Sequence, residues 1–162
     1  MTKIIVGVMG PGEKATVNDL QNAYELGRLI AQQGWILLTG GRNAGVMDAA
    51  NKGAKSADGL TLGILPRNNR DSISHDVDIA IFTDLGNARN NINVLSSDVV
   101  IACGMGAGTA SEISLALKAN KPVILLNEDE ASKVFFKKLS PENVSIVESA
   151  LDAIAIAKAI LS

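Results

Sequence analysis

Three glycine-rich segments each follow a short apolar run, and they are the parts of the sequence best suited to bind a ligand. They read Gly10-Pro11-Gly12, Gly40-Gly41-Arg42-Asn43-Ala44-Gly45 and Gly104-Met105-Gly106-Ala107-Gly108-Thr109. Glycine lets the backbone approach a ligand closely, and the free N–H groups at a helix N-terminus favour an anion. The segments therefore predict a site for a phosphate-bearing small molecule, the alternative being that they only form tight turns.

Two charged residues are candidates to accompany these segments. Arg89 flanks the apolar positions of a predicted helix at residues 85–97, near the carboxyl edge of the sheet. A charge there needs a partner, either a ligand anion or Glu112. Glu112 stands three residues after Thr109, which is the spacing of a capping box. The same carboxylate can also touch a sugar hydroxyl or assist proton transfer.

Short apolar runs alternate along the chain with segments of helical periodicity, and these elements must position the candidate site residues. The runs predict strands at 3–9, 35–39, 60–65, 78–82, 98–103, 122–126 and 144–147. The periodic segments predict helices at 16–33, 45–55, 85–97, 109–119, 132–138 and 150–161. Strands that are apolar throughout are typical of a parallel sheet buried on both faces. We therefore predict an α/β fold, a doubly wound, Rossmann-like sheet flanked by helices, in one domain over residues 1–162, with ligands at the carboxyl ends of its strands.

The composition limits which binding partners and which cellular compartment are expected for this chain. The chain has 162 residues, 47% hydrophobic and 20% charged, with a formal net charge of -2, so neither nucleic acid nor an anionic membrane is expected. The single cysteine, Cys103, excludes an internal disulfide and favours a reducing compartment, and no apolar run is long enough for a signal or membrane segment. We expect a cytoplasmic protein. The polar stretch at 66–76 is predicted to be a mobile loop, and His75 in it a solvated residue.

Common catalytic and nucleotide motifs do not fit. No glycine segment is followed by Lys-Ser or Lys-Thr, which excludes a P-loop. Residues 10–15 match G-x-G-x-x-A, but the acidic residue expected about 20 positions later is missing, which argues against dinucleotide binding. The sequence has no G-x-S-x-G element and no cluster of metal ligands, so no protein-ligated metal is expected.

The two longer glycine segments resemble a known superfamily. Residues 40–50 are similar to the G-G-x-x-G-[LV]-M motif of the LOG-like (lysine decarboxylase-like, SLOG) proteins, and residues 104–112 to their P-G-G-x-G-T-x-x-E motif. Arg89 falls where the arginine of their H-E-R-K segment lies. The sequence departs from both motifs, with Gly104-Met105 for Pro-Gly and with Asn87, Ala88 and Asn90 around the arginine.

The branch of molybdenum cofactor carrier proteins resembles this chain more closely, in its length, its start and its residues 104–109. The resemblance implies a non-catalytic carrier that holds the phosphate-bearing molybdopterin as cargo. The residues that it implies for binding are Gly10, Pro11, Gly12, Gly40, Gly41, Gly45, Val46, Met47, Arg89, Gly106, Gly108, Thr109 and Glu112.

The sequence leaves two alternative functions open, and a homo-oligomer is also expected. The enzyme alternative is a nucleoside 5′-monophosphate phosphoribohydrolase of the LOG type, in which Arg89 and Glu112 would be catalytic. A third alternative is a nucleotide-sensing module that acts with a partner protein. The resemblance also implies a homo-oligomer, a dimer or tetramer packed through helices. The apolar terminal segment at 150–161 fits burial against the domain or another subunit.

Overall fold

A single parallel sheet forms the centre of the computed structural model, which describes residues 2–126 and 128–162 and contains seven strands in those ranges. The strands are β1 (Ile5–Met9), β2 (Ile36–Thr39), β3 (Thr61–Leu65), β4 (Ile79–Phe82), β5 (Val99–Cys103), β6 (Val123–Leu126) and β7 (Val144–Ile146). Their order is β4-β3-β2-β1-β5-β6-β7, and all neighbours are parallel. The chain reverses its direction of winding between β1 and β5, where ligands bind in such sheets. The predicted fold class is confirmed.

Helices cover both faces of the sheet. They are α1 (Val17–Gln32), α2 (Gly45–Lys55), α3 (Asn90–Leu95), α4 (Ala107–Lys118), α5 (Glu130–Leu139) and α6 (Ala150–Leu161). Buried side chains of α1, α2 and α6 form one core with β1, β2, β5 and β6. Side chains of α3, α4 and α5 form a second core on the opposite face. Each helix thus buries an apolar face against the sheet, as the strand-helix alternation predicts.

The start of α1 shows how the sequence positions the loop after β1. The Thr16 hydroxyl accepts from the Asp19 N–H at 3.1 Å, and the Asp19 carboxylate accepts from the Thr16 N–H at 2.9 Å. This reciprocal pair is a capping box, which fixes the start of the helix. It ends the loop of residues 10–15 at a fixed point, so the loop is held over the carboxyl end of the sheet.

The predicted helix at 85–97 is wrong in form and in orientation. Residues Gly86–Arg89 form a 3₁₀ turn, and only Asn90–Leu95 form α3. The buried side chains belong to Arg89, Asn90, Asn93 and Val94, whereas Leu85 and Leu95 are half exposed. The polar side of the segment therefore faces the domain, because Arg89 and the two amides find hydrogen-bond partners there.

One further expectation about the surface needs correction, and the contacts of a loop are added to it. Strand β4 is not buried on both faces, because it lies at the edge of the sheet, and Ile79, Ile81 and Phe82 are all more than a third exposed. The segment at 66–76 is tied to the loop after β2 by an antiparallel bridge between Arg42 and Ile73. His75 is exposed, in agreement with a solvated residue.

Candidate ligand-binding site

A cavity of about 390 Å³ opens between β1 and β5 at the carboxyl edge of the sheet. Most of the predicted site residues line it, namely Gly10, Pro11, Gly12, Gly40, Met47, Arg89, Gly106, Gly108, Thr109 and Glu112. The loops after β1, β2 and β5 and the segment before α3 thus meet at one place. A volume of this size suits a small-molecule ligand.

The N-terminus of α4 forms one wall of the cavity. This helix begins at Ala107, its cap residue is Gly106, and no side chain within residues 2–126 and 128–162 caps it. The first N–H groups of a helix have no partner within the helix, and together with its dipole they favour an anion. A Cβ at Gly108 would meet nothing within 4 Å, and one at Gly106 would make only ordinary contacts. The fold does not require glycine at either position, and the lack of side chains leaves the helix end open.

The predicted capping box at Thr109 and Glu112 is wrong. Because α4 begins two residues earlier than predicted, Thr109 is already the third residue of the helix and cannot cap it. Its side chain is buried, and its hydroxyl has no hydrogen-bond partner among the described residues. A buried unpaired hydroxyl is costly unless a ligand or water satisfies it. Thr109 also lines the cavity, so a ligand bound there lies next to the residue that carries this hydroxyl.

Arg89 connects strand β3, the loop after β2 and its own 3₁₀ turn at the cavity wall. Its Nε donates to the Ile64 carbonyl at 2.8 Å, and its two terminal nitrogens donate to the carbonyls of Gly86 at 3.2 Å and Gly40 at 3.4 Å. Of the two alternative partners for Arg89, a ligand anion and Glu112, the second forms no ion pair with it. Burial lowers the pKa of Arg89, Glu112 opposes that effect, and repulsion by Arg42 adds to it. A guanidinium has five N–H donors, so Arg89 keeps donors for a ligand while it organises the loops.

Glu112 lies at the base of the cavity as a buried carboxyl group. Its Oε1 accepts from the Asn93 amide at 2.9 Å, which joins α4 to α3. Burial raises the pKa of Glu112 to about 7, although the Asn93 hydrogen bond and Arg89 both act to lower it. Near neutral pH the group can therefore carry a proton, and it can donate a hydrogen bond or accept one.

Replacement of Glu112 by glutamine is expected to change how stability depends on pH. The pKa of the folded state is raised from an ordinary 4.5 to about 7, so this carboxyl contributes stability below pH 4.5 and loses it as the pH rises through about 7. A glutamine side chain at this position does not titrate and keeps the bond from Asn93. Urea unfolding across this pH range should show Glu112→Gln gaining about 3 kcal/mol relative to the wild type. The exposed control Glu142→Gln should gain nothing, and parallel curves for all three proteins would contradict the assignment.

Gly41, Gly45 and Val46 do not reach the cavity, although they belong to the predicted anion loop. The Val46 N–H donates to the Pro11 carbonyl at 3.0 Å, so the loop after β1 covers the N-terminus of α2. Gly45 has a positive φ of 51°, and a Cβ there would collide with the carbonyl oxygens of Pro11 and Gly12. Glycine is needed at this position for the packing of two loops rather than for an open surface.

Several lining residues escaped the sequence analysis. Arg42 lies in the cavity wall beside Glu13, with which it forms an ion pair, and Lys14 lies near them. A basic residue inside a glycine-rich segment is the signal that could have indicated Arg42. The side chains of Met9 and Met105 also line the cavity, together with the predicted Met47. Methionine adapts to flat and irregular ligands and makes favourable contacts with aromatic rings.

Two other features, a metal-ligand cluster and a membrane-spanning helix, are absent from residues 2–126 and 128–162. Within these ranges no group of three or more His, Cys, Asp or Glu side chains could hold a metal ion. The same ranges contain no helix that is both long and apolar enough to cross a membrane.

Comparison with known proteins identifies a family and two solved structures that cover nearly the whole chain. The model of the SLOG cluster4 family matches residues 3–154. The molybdenum cofactor binding protein from the phototrophic bacterium Rippkaea orientalis is 62% identical, with a TM-score of 0.99 over 100% of this chain and 99% of that one. The molybdenum cofactor carrier protein from Chlamydomonas reinhardtii is 52% identical, with a TM-score of 0.94 over 99% of both chains.

Phosphoribohydrolases are more distant relatives. The cytokinin riboside 5′-monophosphate phosphoribohydrolase of Mycobacterium tuberculosis is 35% identical over 96 residues, which are 58% of this chain and 51% of that protein. The match thus spans about half the length of the enzyme.

Proposed function

The chain belongs to the SLOG cluster4 family, and we propose that it is a binding or carrier protein for the molybdenum cofactor. The observation that carries the proposal is the uncapped N-terminus of α4, with open glycines and the unpaired hydroxyl of Thr109. The terminal phosphate of molybdopterin binds there, on helix N–H groups and on that hydroxyl. The high-identity structural neighbours, which are molybdenum cofactor binding and carrier proteins, support the choice of ligand.

The rest of the cavity suits the pterin ring. Asn87 and Asn90 line the cavity, as do backbone groups of the three loops, and together they fit the amide edge of a pterin. The methionine side chains supply an apolar, polarisable surface for the ring. The cofactor is cargo, so the protein holds and shields it, and no bond needs to be broken.

Thr109→Val tests the proposal with little risk to the fold. The change removes a buried hydroxyl that has no partner among the described residues, so the free energy of unfolding should stay the same or rise. The lost hydrogen bond to a phosphate should weaken binding of the molybdenum cofactor about tenfold or more. Gel filtration of protein mixed with cofactor, followed by molybdenum and pterin analysis, measures retention. Ser114→Ala removes an exposed hydroxyl from the same helix and is the control. If the wild type retains no cofactor, the proposal fails.

A second candidate function is hydrolysis of a nucleoside 5′-monophosphate. Arg89 and Glu112 both line the cavity, and a carboxyl group with a pKa of about 7 is suited to proton transfer. Incubation with a panel of nucleoside monophosphates should then release free base and ribose 5-phosphate, and Glu112→Ala should stop the release. No release across the panel would rule out this candidate. A nucleotide that binds tightly and stays intact would favour a sensor instead.

We also propose that the protein is a homo-oligomer, a dimer or tetramer. Its surface exposes a groove between α3 and α4, lined by Ala88, Leu95 and Leu115 among others. Leu85 and Leu95 are both half exposed, and apolar surface of this kind is typical of an interface. Sedimentation should show a species larger than the monomer, and Leu95→Glu should shift it towards the monomer. A monomeric wild type would refute the proposal.

A further inference from the structure

A second cavity of about 340 Å³ adjoins the candidate site and differs from it in chemistry. Its walls include Arg42, Arg67, Asp71, Ser72 and Arg89, and we call it the arginine compartment. Arg42 and Arg89 also line the main cavity, so the two spaces share a wall. A ligand held at the N-terminus of α4 can therefore extend into the arginine compartment.

The arginine compartment has an excess of positive charge. Three guanidinium groups and one carboxylate, that of Asp71, lie in its walls. Arg42 forms an ion pair with Glu13 outside the compartment, whereas Arg67 and Arg89 form no ion pair with any described residue. Arg89 donates to backbone carbonyls only. Burial lowers the pKa of Arg89, the Glu112 carboxyl opposes that effect, and repulsion by Arg42 adds to it. Arginines held together in this way favour an oxyanion as their partner.

The walls of the compartment are held by hydrogen bonds rather than left as a free loop. The Ser72 carbonyl accepts from the Asn43 N–H at 2.8 Å, and the Ser74 N–H donates to the Gly41 carbonyl at 2.8 Å. The Ser74 hydroxyl also donates to the Asp48 carboxylate at 2.8 Å. Ser72 has a positive φ of 62°, a conformation that costs energy for a residue other than glycine. The loop is thus fixed against the glycine segment that carries Arg42, so the site needs little ordering before it binds.

We propose that the arginine compartment is a second oxyanion subsite, which binds the other anionic end of a ligand whose phosphate lies at the N-terminus of α4. The proposal rests on the proposed function for its ligand, because it deepens the description of the same site. The chemistry shared by the candidate groups is that of an oxyanion, either a second phosphate or the oxygen-bearing metal group of the cofactor. Arg67 binds it from the exposed side and Arg89 from the buried side.

Calorimetric titration with inorganic phosphate and, separately, with molybdate tests the subsite without the cofactor. At constant ionic strength the wild type should bind two oxyanions per chain. Arg67→Ala should weaken one of them about tenfold, while Thr109→Val should weaken the other. Arg70→Ala is the matched control, because Arg70 lies in the same loop but stacks on Phe82, 5.6 Å from the ring centroid, and does not line the compartment. Preference for one of the two anions identifies the kind of group that the subsite takes.

Equal titrations of Arg67→Ala, Arg70→Ala and the wild type would overturn the proposal. So would a wild type that binds one oxyanion only, sensitive to Thr109→Val. If Arg67→Ala retains the molybdenum cofactor as tightly as the wild type does, one ligand does not bridge the two sites. Failure of the wild type to retain the cofactor would instead refute the proposed function, while the titrations with phosphate and molybdate would still decide the subsite.

Discussion

Replacement of Gly108 by alanine is expected to make the protein more stable and to abolish most of its ligand binding. Gly108 is the second residue of α4, and alanine in a helix is favoured over glycine by about 1 kcal/mol. A Cβ at this position meets no atom within 4 Å, so the fold pays no steric penalty. The added methyl group would occupy the space in which the phosphate approaches the helix N–H groups.

The expected loss of binding is large because the added methyl group both collides with the phosphate and weakens its hydrogen bonds to the helix. A methyl group forced into a well-packed contact costs about 1–3 kcal/mol, and the displaced phosphate also loses hydrogen bonds to the helix. We expect the affinity for the molybdenum cofactor to fall about a hundredfold, which corresponds to roughly 2.7 kcal/mol.

Two measurements on one protein check this prediction. Urea unfolding should show a higher midpoint for Gly108→Ala, and the cofactor-retention assay should show reduced binding. Ser114→Ala also raises helix propensity on α4, but its side chain is exposed and outside the cavity, so it should gain stability without losing affinity. If Gly108→Ala binds as well as Ser114→Ala, the phosphate does not lie at the N-terminus of α4.

The sequence predicted the strand-helix alternation because each element has its own period of apolar residues. It also predicted that the three glycine segments lie together, because the carboxyl ends of parallel strands share one edge. It could not predict where α4 begins. The spacing of Thr109 and Glu112 fits a capping box, but the chain becomes helical at Ala107, where no side chain marks the start.

The sequence also could not predict which side of the segment around Arg89 faces the domain. Leu85 and Leu95 are among the apolar positions of the predicted helix at 85–97, and apolar positions normally face the domain, yet both are half exposed. The segment turns its polar side inward because backbone carbonyls from β3, from the loop after β2 and from its own turn accept hydrogen bonds from the guanidinium. Such partners come from distant parts of the chain and have no signature in local periodicity. The apolar side is then left for the subunit contact that we propose.

The sequence alone does not show which glycines have space for a side chain, whereas the structure does. Gly108 is open, while Gly27 in α1 and Gly53 in α2 lie where these two helices touch. A Cβ at Gly27 would lie on the Ala50 carbonyl oxygen, and one at Gly53 on the Tyr24 carbonyl oxygen. All three glycines are helical, so helix propensity alone would predict the same gain from alanine at each of them.

Gly53→Ala is therefore expected to destabilise the protein strongly, by about 3 kcal/mol or more, in spite of the gain in helix propensity. The obstacle is backbone, which cannot rotate away as a side chain can, so α1 and α2 must move apart. Gly27→Ala should have a similar effect. Chemical denaturation of both variants beside Gly108→Ala measures the contrast, and a stabilised Gly53→Ala would show that the helices do not pack as closely as described.

The double variant Gly27→Ala, Gly53→Ala extends the argument to the site. Both glycines belong to one helix crossing, so once one alanine has separated α1 from α2, the second should cost less than it does alone. Since α2 follows the loop that contains Gly40 and Arg42, the separation should also displace that wall of the cavity. In the folded fraction we expect weaker cofactor retention than in the wild type. If the stability losses of the two variants are strictly additive and cofactor retention is unchanged, the crossing of α1 and α2 does not influence the cavity.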